Sequence, residues 1–287
     1  MDLFSTLIQA VVQGLAEFIP VSSSGHLSLV QHFFGIRGDE SIVLSVALHV
    51  GTLVAVFIAF WPTIAALLRE FFLTIRDIFT GKFKWSEMNE DRRLLMMLVI
   101  ACVPLIPFYI IKEPLKQIAS DNDIVLEGIA FLFTALALTV ADKCVKGHKT
   151  PKDITVKNSL TVGLAQCVAL VPGVSRSGMT ISSGLLSGFS RETAVKFSFI
   201  LGIPAIIGGS ASELIEVVGG NVEINWPIVL IGMAVAAVVG FLSIKMVQWI
   251  VKTDKFRIFA IYTFALGIIV VILGVLEHLN IANFVVS

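Results

Sequence analysis

Long apolar runs separated by short polar stretches dominate the chain. Crossing the hydrocarbon core of a bilayer takes a helix of roughly 20 apolar residues. Bare backbone finds no hydrogen-bond partner in lipid, so runs of this length form helices there. The pattern predicts six membrane-spanning helices, at 42–61, 94–111, 124–141, 193–211, 226–247 and 258–277.

Two further apolar regions, 3–34 and 159–188, are interrupted by Ser- and Gly-rich stretches. The interruptions read PVSSSGH over 20–26 and PGVSRSG over 172–178. Neither half of either region is long enough to cross a bilayer. Non-helical backbone at membrane depth has to be buried in protein or line a wet cavity. We therefore expect each region to be a re-entrant helical hairpin that enters the membrane and returns on the same side.

The two hairpin regions also resemble each other. GLAE at 14–17 matches GLAQ at 163–166, and each is followed by a proline, a serine cluster and three spans. An odd number of crossings turns the second unit upside down, so the sequence predicts an inverted repeat in an all-α membrane protein. The single domain 1–287 then divides into a first repeat, 1–141 (hairpin 3–34, spans 42–61, 94–111 and 124–141), and a second, 159–287 (hairpin 159–188, spans 193–211, 226–247 and 258–277).

Composition agrees with a membrane protein. Of 287 residues, 56% are hydrophobic and 15% charged, whereas a soluble domain carries about 25% charge. Lys plus Arg and Asp plus Glu number 21 each, so no basic surplus points to nucleic acid as a partner.

The positions of the basic residues predict an orientation. In the six-span layout, 17 Lys and Arg lie in or beside four loops on one side (62–93, 142–158, 188–192 and 248–257), against Arg37, Lys112 and Lys116 on the other. Cytoplasmic loops carry such an excess. Both termini are therefore expected outside. The first hairpin would then enter from the outer face, and its polar stretch would open outward.

Glu17 is the first candidate for chemistry, because it lies in an apolar helix with Gln13 one turn before it. A charge at the membrane midplane costs about 2.5–3.5 kcal/mol even on the lenient insertion scale. A carboxylate kept at that cost suggests a functional role, and helix pairing is the structural alternative. Glu127 lies near the end of a span and is interpreted as structural, as are His32 and His49.

The two interruptions add groups that suit an anion. Ser22, Ser23, Ser24, Gly25 and His26 supply hydroxyls, backbone N–H groups and an imidazole. Arg176, between Ser175 and Ser177, supplies a planar fork of donors that fits phosphate oxygens. If the interruptions meet, they form an anion pocket with a carboxylate, an imidazole and a guanidinium. Close helix packing through small residues is the alternative for the serines.

These motifs resemble a known family. EFIPVSSSGH at 17–26, PGVSRSGMT at 172–180 and FAIYTFALG at 259–267 look like the bacterial undecaprenyl-diphosphate phosphatases, the bacitracin-resistance family. The resemblance implies a hydrolase of the bacterial inner membrane that removes the terminal phosphate of a C55 polyprenyl diphosphate. The resulting monophosphate carrier returns to cell-wall synthesis. The resemblance also implies a divalent cation, Mg²⁺ or Ca²⁺, as cofactor.

The resemblance carries site residues to this chain. It marks Glu17, Ser23, His26 and Arg176 as catalytic, with Glu17 also a candidate metal ligand, and it implies substrate-binding roles for Gln13, Ser22, Ser24, Gly25, Ser175, Ser177 and Thr180. Gln13 stands where many members have a glutamate, so any work that requires a carboxylate falls to Glu17 alone. His26 is the preferred reacting group, either attacking phosphorus or deprotonating the attacker. Ser23 is the alternative nucleophile.

Two other interpretations stay open. The type-2 phosphatidic acid phosphatases share SGH and SR fragments, but their second histidine would fall on Ser182. Secondary transporters also use inverted repeats with broken midplane helices, so the pocket could move a lipid phosphate or another anion across the bilayer. The bilayer and a polyprenyl diphosphate lipid are the expected partners, and the sequence leaves open whether the chain forms a homodimer.

Overall fold

The computed structural model describes residues 2–36, 39–110, 124–143, 147–217, 224–253, 255–281 and 284, and these are almost entirely helical. The α-helices, in chain order, are α1 Leu3–Ala16, α2 Ser23–Phe33, α3 Asp39–Ala59, α4 Trp61–Phe79, α5 Glu90–Cys102, α6 Leu105–Ile110, α7 Val125–Lys143, α8 Val156–Val168, α9 Arg176–Leu186, α10 Arg191–Val217, α11 Trp226–Lys252 and α12 Arg257–His278. Single 3₁₀ turns lie at Trp85–Glu87 and Pro151–Asp153. Within these residues β-pairing is limited to an isolated bridge between Lys149 and Phe189.

Five of the described helices, α3, α7, α10, α11 and α12, are long and apolar enough to cross a membrane. Their outward faces carry large apolar side chains, such as Leu136, Val238 and Ile261, each more than half exposed. A contiguous apolar surface of this kind is unfavourable in water and suits lipid. The chain is therefore a multi-pass helical membrane protein.

The predicted span 94–111 is not one continuous helix. Its described part consists of α5 and α6, which are separated by Val103 and Pro104. Proline has no N–H to donate and its ring clashes with the preceding turn, so the helix ends before it. The hydropathy pattern alone could not show this break. Residue 111 lies outside the described residues, as do Arg37, Lys112 and Lys116 of the orientation argument.

Each predicted hairpin region forms a pair of short helices. The first joins α1 to α2 through residues 17–22, and the second joins α8 to α9 through 169–175. Ser22 and Ser175 cap α2 and α9 in the same way, each accepting a hydrogen bond from the glycine N–H three residues later. A helix N-terminus has free N–H groups that such caps satisfy. The two serine clusters thus start helices at matching points.

Each hairpin packs against a helix from the other half of the chain. α1 lies along α11, and α8 lies along α5. Gly14 and Gly163 stand at matching positions of the GLAE and GLAQ motifs, and each allows close contact. A side chain at 14 would meet Ala236 and Val239, and one at 163 would overlap the carbonyl of Ala101.

An ion-pair cluster fixes α4, which lies in the basic loop 62–93. Arg92 on α5 binds Glu70 at 2.8 Å and Asp77 at 2.9 Å, and Asn89 donates to Glu70 at 2.8 Å. Burial opposes the charge on Glu70, but the hydrogen bonds from Asn89 and Arg92 outweigh it and hold the pKa of Glu70 below its usual value. Phe72 and Phe79, on the same helix, are largely exposed. α4 is therefore an amphipathic helix.

Replacing Gly14 with alanine should destabilise the protein. The added Cβ would lie 2.8 Å from Cβ of Val239 and 2.9 Å from the carbonyl oxygen of Ala236, and overpacking of this kind costs about 1–3 kcal/mol. We expect a lower thermal midpoint in detergent. Gly209→Ala, which meets no atom within 4 Å, is the control and should hold or raise the midpoint. Equal midpoints for both variants would contradict close packing at Gly14.

Candidate active site

Glu17 is the residue on which the site is built. It caps the C-terminal end of α1 and is 6% exposed. Its Oε1 accepts from Nη2 of Arg176 at 2.7 Å, and its Oε2 accepts from Oγ of Ser23 at 2.7 Å and from Nε2 of Gln13 at 2.9 Å. A buried carboxylate is tolerated when it is paired and hydrogen-bonded. The contacts therefore keep a charged carboxylate beside a serine hydroxyl.

The hairpin turns bring these groups together. Ser23 is the first residue of α2 and Arg176 is the first residue of α9. Ser22, which caps α2, has a φ of 76°, a left-handed value that a serine rarely adopts. That strained turn places Ser23 back over the end of α1. The Glu17–Arg176 ion pair then joins the two hairpins, as the sequence predicted.

Arg176 rests on a glycine of α10. A Cβ at Gly202 would overlap the guanidinium, with Nη1 as its nearest atom. The guanidinium therefore occupies the space that a side chain at position 202 would fill. Close approach of the second hairpin explains the glycine at 202, whereas an added Cβ at Gly208 or Gly209 would meet no atom within 4 Å.

His49 on α3 belongs to this site, which corrects its interpretation as structural. Its Nδ1–H donates to the carbonyl oxygen of Ser45 at 2.8 Å, and its Nε2 lies 3.9 Å from Oε2 of Glu17. The bond to Ser45 leaves the Nε2 lone pair facing the carboxylate in the neutral imidazole. Sequence reasoning missed His49 because a lone histidine in an apolar span carries no signal of what faces it.

His26 lies on α2, but its ring is held by other partners. Nδ1–H donates to the carbonyl oxygen of Ser22 at 2.7 Å, and Nε2 lies 2.9 Å from the hydroxyl of Tyr262. The imidazole stacks on Tyr262 and meets the edge of Phe131. His26 therefore sits one turn beyond Ser23 without a hydrogen bond to Glu17, Ser23 or Arg176 among the described contacts.

Four of the predicted binding residues, Gly25, Ser175, Ser177 and Thr180, bond within the protein and are not among the residues that line the adjacent cavity. The N–H of Gly25 donates to Ser22, and Oγ1 of Thr180 lies 2.6 Å from Oγ of Ser198. The N–H of Ser175 donates to Thr134 at 3.1 Å. Ser177 is buried, and its hydroxyl donates to the carbonyl oxygen of Ile19 at 3.4 Å. These contacts hold the hairpins against α7, α10 and each other.

Two polar residues that were interpreted as structural are paired away from the site. His32 lies 2.9 Å from Glu277, and Ser28 donates to Glu127 at 2.6 Å. Both pairs connect α2 to the helix bundle, so they stabilise the packing of the first hairpin.

A cavity of about 620 Å³ opens from the cluster. Ser22, Ser23, Ser24, Glu17, Arg176 and His49 form its polar end. Its other walls are mostly apolar. They come from α6, the second hairpin turn and the C-terminal half of α10. The apolar lining residues include Leu105, Ile106, Leu170, Val174, Pro204 and Ile206. A polar end joined to an apolar space fits an amphiphile with an anionic head.

The predicted cation can be tested against the side chains present. Among the described residues, no group of three or more His, Cys, Asp or Glu side chains is placed to hold a metal ion. Glu17 and Glu213 are the carboxylates among the described lining residues. Mg²⁺ is often bound by one or two carboxylates together with substrate phosphates, and Glu17 is the carboxylate placed beside the polar cluster. Glu213 lies eleven residues along α10 from Gly202, about 16 Å by the helix rise, so it does not share a cation with Glu17.

Comparison with known proteins gives a consistent result. Residues 6–269 match a family model described as bacitracin resistance protein BacA. An undecaprenyl-diphosphatase of Methanosphaera stadtmanae is 36% identical over 280 residues, covering 96% of this chain and 99% of that protein. One of Alkaliphilus metalliredigens is 37% identical, covering 96% of this chain and 100% of its own, and one of Treponema denticola is 38% identical, covering 93% and 96%.

The contact between Gly202 and Arg176 yields a prediction. Gly202→Ala should displace the guanidinium and lower turnover at this site about tenfold or more, since hydrogen bonds to charged groups contribute about 1.5–3 kcal/mol. Phosphate release from a prenyl diphosphate by purified protein measures the effect. Gly208→Ala makes the same change further along α10, where a Cβ meets no atom within 4 Å, and should retain most of the activity. Full activity in Gly202→Ala would show that Arg176 is not held there.

Proposed function

Since the chain belongs to the bacitracin resistance protein BacA family, we propose that it is a membrane phosphatase acting on undecaprenyl diphosphate. The products are undecaprenyl phosphate and inorganic phosphate, and the monophosphate lipid returns to cell-wall synthesis. The relatives named undecaprenyl-diphosphatase cover nearly the whole chain, which supports this activity.

The observation that carries the proposal is the cluster of Ser23, Glu17 and Arg176 at the polar end of the cavity. Phosphoryl transfer depends mainly on positioning and on charge stabilisation. Arg176 supplies a fixed positive charge for phosphate oxygens. Ser23 supplies a hydroxyl, and Glu17 accepts a hydrogen bond from it at 2.7 Å. These are the parts that hydrolysis of an anhydride needs.

The contacts favour Ser23 as nucleophile with Glu17 as its base. The Ser23 proton passes to Oε2 of Glu17 while Oγ bonds to the terminal phosphorus. The bond from that phosphorus to the bridging oxygen breaks, and its electron pair stays on undecaprenyl phosphate. Water then attacks the phosphoserine, the P–Oγ bond breaks, and the proton returns from Glu17 to Oγ. Inorganic phosphate leaves, so atoms and charge balance.

The two histidines take different parts in this proposal. Nε2 of His49 faces Glu17 and can relieve it of the transferred proton. His26 stays a predicted catalytic residue because α2 places it one turn beyond Ser23. To act on substrate it has to exchange its contact with Tyr262 for one with the phosphate or the attacking water.

A divalent cation completes the proposed site. When bound, it would offset the negative charge of the diphosphate. Glu17 would hold it from the protein side, together with phosphate oxygens of the substrate. The remaining predicted residues, Gln13, Ser22, Ser24, Gly25, Ser175, Ser177 and Thr180, bind the headgroup or orient the groups that do.

We further propose the inverted repeat, with halves 1–141 and 159–287 and with α5 and α6 together as the sixth crossing. The matching caps at Ser22 and Ser175 support it. The contacts of two matching glycines support it as well. Gly14 of the first hairpin packs on α11, and Gly163 of the second packs on α5. α5 and α11 each contribute to the second crossing after the hairpin of their own half.

The proposed location is the cytoplasmic membrane of a bacterium, with both termini outside and the site open to the outer face. α5 and α10 both begin next to basic loops. The cavity is lined by α6, which follows the C-terminal end of α5, and by the C-terminal half of α10. The cavity therefore lies at the ends of α5 and α10 that are far from the basic loops. Together with the positive-inside rule, this supports access from the outer side.

Phosphate release tests the function directly. Purified protein in detergent should release inorganic phosphate from undecaprenyl diphosphate, and a chelator should lower the rate because it removes the proposed cation. A carrier that only moves the lipid needs sealed vesicles and releases no phosphate. Folded protein that binds the lipid in detergent without releasing phosphate, with or without Mg²⁺ or Ca²⁺, would contradict the proposal.

Two alanine variants test the assignment of the chemistry. Ser23→Ala and His26→Ala should each lower turnover about a hundredfold or more while the protein stays folded, because residues that react as a unit fail together. His32→Ala is the control. His32 lies on α2 like His26 but pairs with Glu277 of α12, so this variant should stay near the wild-type rate. Wild-type turnover in Ser23→Ala combined with loss in Glu17→Gln would show that water attacks phosphorus directly.

A further inference from the structure

Gln166 on α8 is a buried polar residue that the chemistry above does not use. It is 3% exposed and lines the same cavity as Glu17 and Arg176. Neither its Nε2 nor its Oε1 has a hydrogen-bond partner among the described residues. It stands where GLAQ matches GLAE, so it holds the place in the second hairpin that Glu17 holds in the first.

The other two buried glutamines among the described residues, Gln9 and Gln13, each keep at least one hydrogen bond, although Oε1 of Gln13 has no partner there. Nε2 of Gln13 donates to Glu17, and Gln9 both donates to Ser5 and accepts from Gln31. Leaving a buried donor or acceptor without a partner costs about 1–3 kcal/mol per group. An amide with both groups unpaired at a cavity wall is therefore a site prepared for a ligand.

Arg176 lines the same cavity and has an unused donor, which lies against Gly202 of α10. Its Nη2 binds Glu17, whereas its Nη1 is buried and has no partner among the described residues. Amide and guanidinium N–H groups together suit a ligand that presents only acceptor oxygens. A deprotonated phosphate is such a ligand.

We propose that Gln166 is a substrate-binding residue that holds the phosphate nearer the lipid chain while the terminal phosphate lies at Ser23. The inference rests on the proposed function, since it assigns the second phosphate of the same diphosphate. Nε2 donates to an oxygen of that phosphate, and Oε1 accepts from a water that hydrates it.

The position of Gln166 in the cavity supports this choice of phosphate. Ala169, Leu170 and Val174 continue the cavity wall from the end of α8 through the second hairpin turn. These apolar side chains suit the first isoprene units, which are attached to the inner phosphate. The two hairpins then divide the diphosphate between them. The first carries the reacting groups, and the second holds the group that leaves as undecaprenyl phosphate.

Steady-state kinetics of Gln166→Met test the assignment. Methionine keeps the length of the side chain and removes both amide groups. Loss of a hydrogen bond to a charged group should raise KM for undecaprenyl diphosphate about tenfold or more and change kcat much less. Gln9→Met replaces a buried, fully bonded glutamine outside the cavity and should leave KM near the wild-type value.

Two inhibitors sharpen the test. Methylenediphosphonate, whose bridging carbon cannot be hydrolysed, should lose about tenfold in inhibition of Gln166→Met, because it occupies both phosphate positions. Inorganic phosphate, which needs only the position at Ser23, should inhibit the variant as it inhibits wild type. Equal weakening of both inhibitors, unchanged KM, or a fall in kcat alone would overturn the assignment.

A second variant guards against misfolding. If Gln166→Met is not folded, Gln166→Glu keeps the shape but brings a negative charge to the phosphate, and a KM raised beyond tenfold is expected. Unchanged KM in Gln166→Glu would also overturn the assignment. Failure of the proposed function is distinct, because wild-type protein would then release no phosphate at all.

Discussion

The buried ion pair between Glu17 and Arg176 is the interaction on which the site depends. Each partner alone would be a charge with few solvent contacts, and removing one member of such a pair typically costs about 3–5 kcal/mol. Together they join two hairpins that are 159 residues apart in sequence. The remaining features serve this contact. The strained turn at Ser22 brings Ser23 to the carboxylate, and Gly202 leaves room for the guanidinium.

Much of this could be predicted from the sequence. Polar interruptions in apolar regions have few places to go in a membrane, so the two hairpins and their meeting followed from hydropathy and backbone hydrogen bonding. The sequence predicted that Glu17, His26 and Arg176 would converge. The structure joins Glu17 to Arg176 and to Ser23, but the ring of His26 bonds elsewhere. The break at Pro104 was missed because apolar content was counted without regard to the proline within it.

The histidines show where sequence reasoning ends. His26 has the motif context, yet its ring is bonded to Tyr262, which lies 236 residues away. His49 has no motif context, yet α3 places its Nε2 3.9 Å from Glu17. The direction of a side chain within a helix depends on its tertiary partners, and no local pattern encodes them. The same limit applies to Gln166, whose lack of partners appears only in three dimensions.

The separation of the paired charges along the chain has a consequence for biosynthesis. Glu17 enters the membrane early in translation, long before the ribosome has made Arg176. Until the second hairpin inserts, the carboxylate has no guanidinium to neutralise it, and the nascent first half is left with a charge it is poorly suited to bury. Insertion of the second hairpin supplies the missing guanidinium, and α10, which follows it, adds Gly202 and part of the cavity wall. A chain that ends before α10 therefore holds no complete active centre in the bilayer.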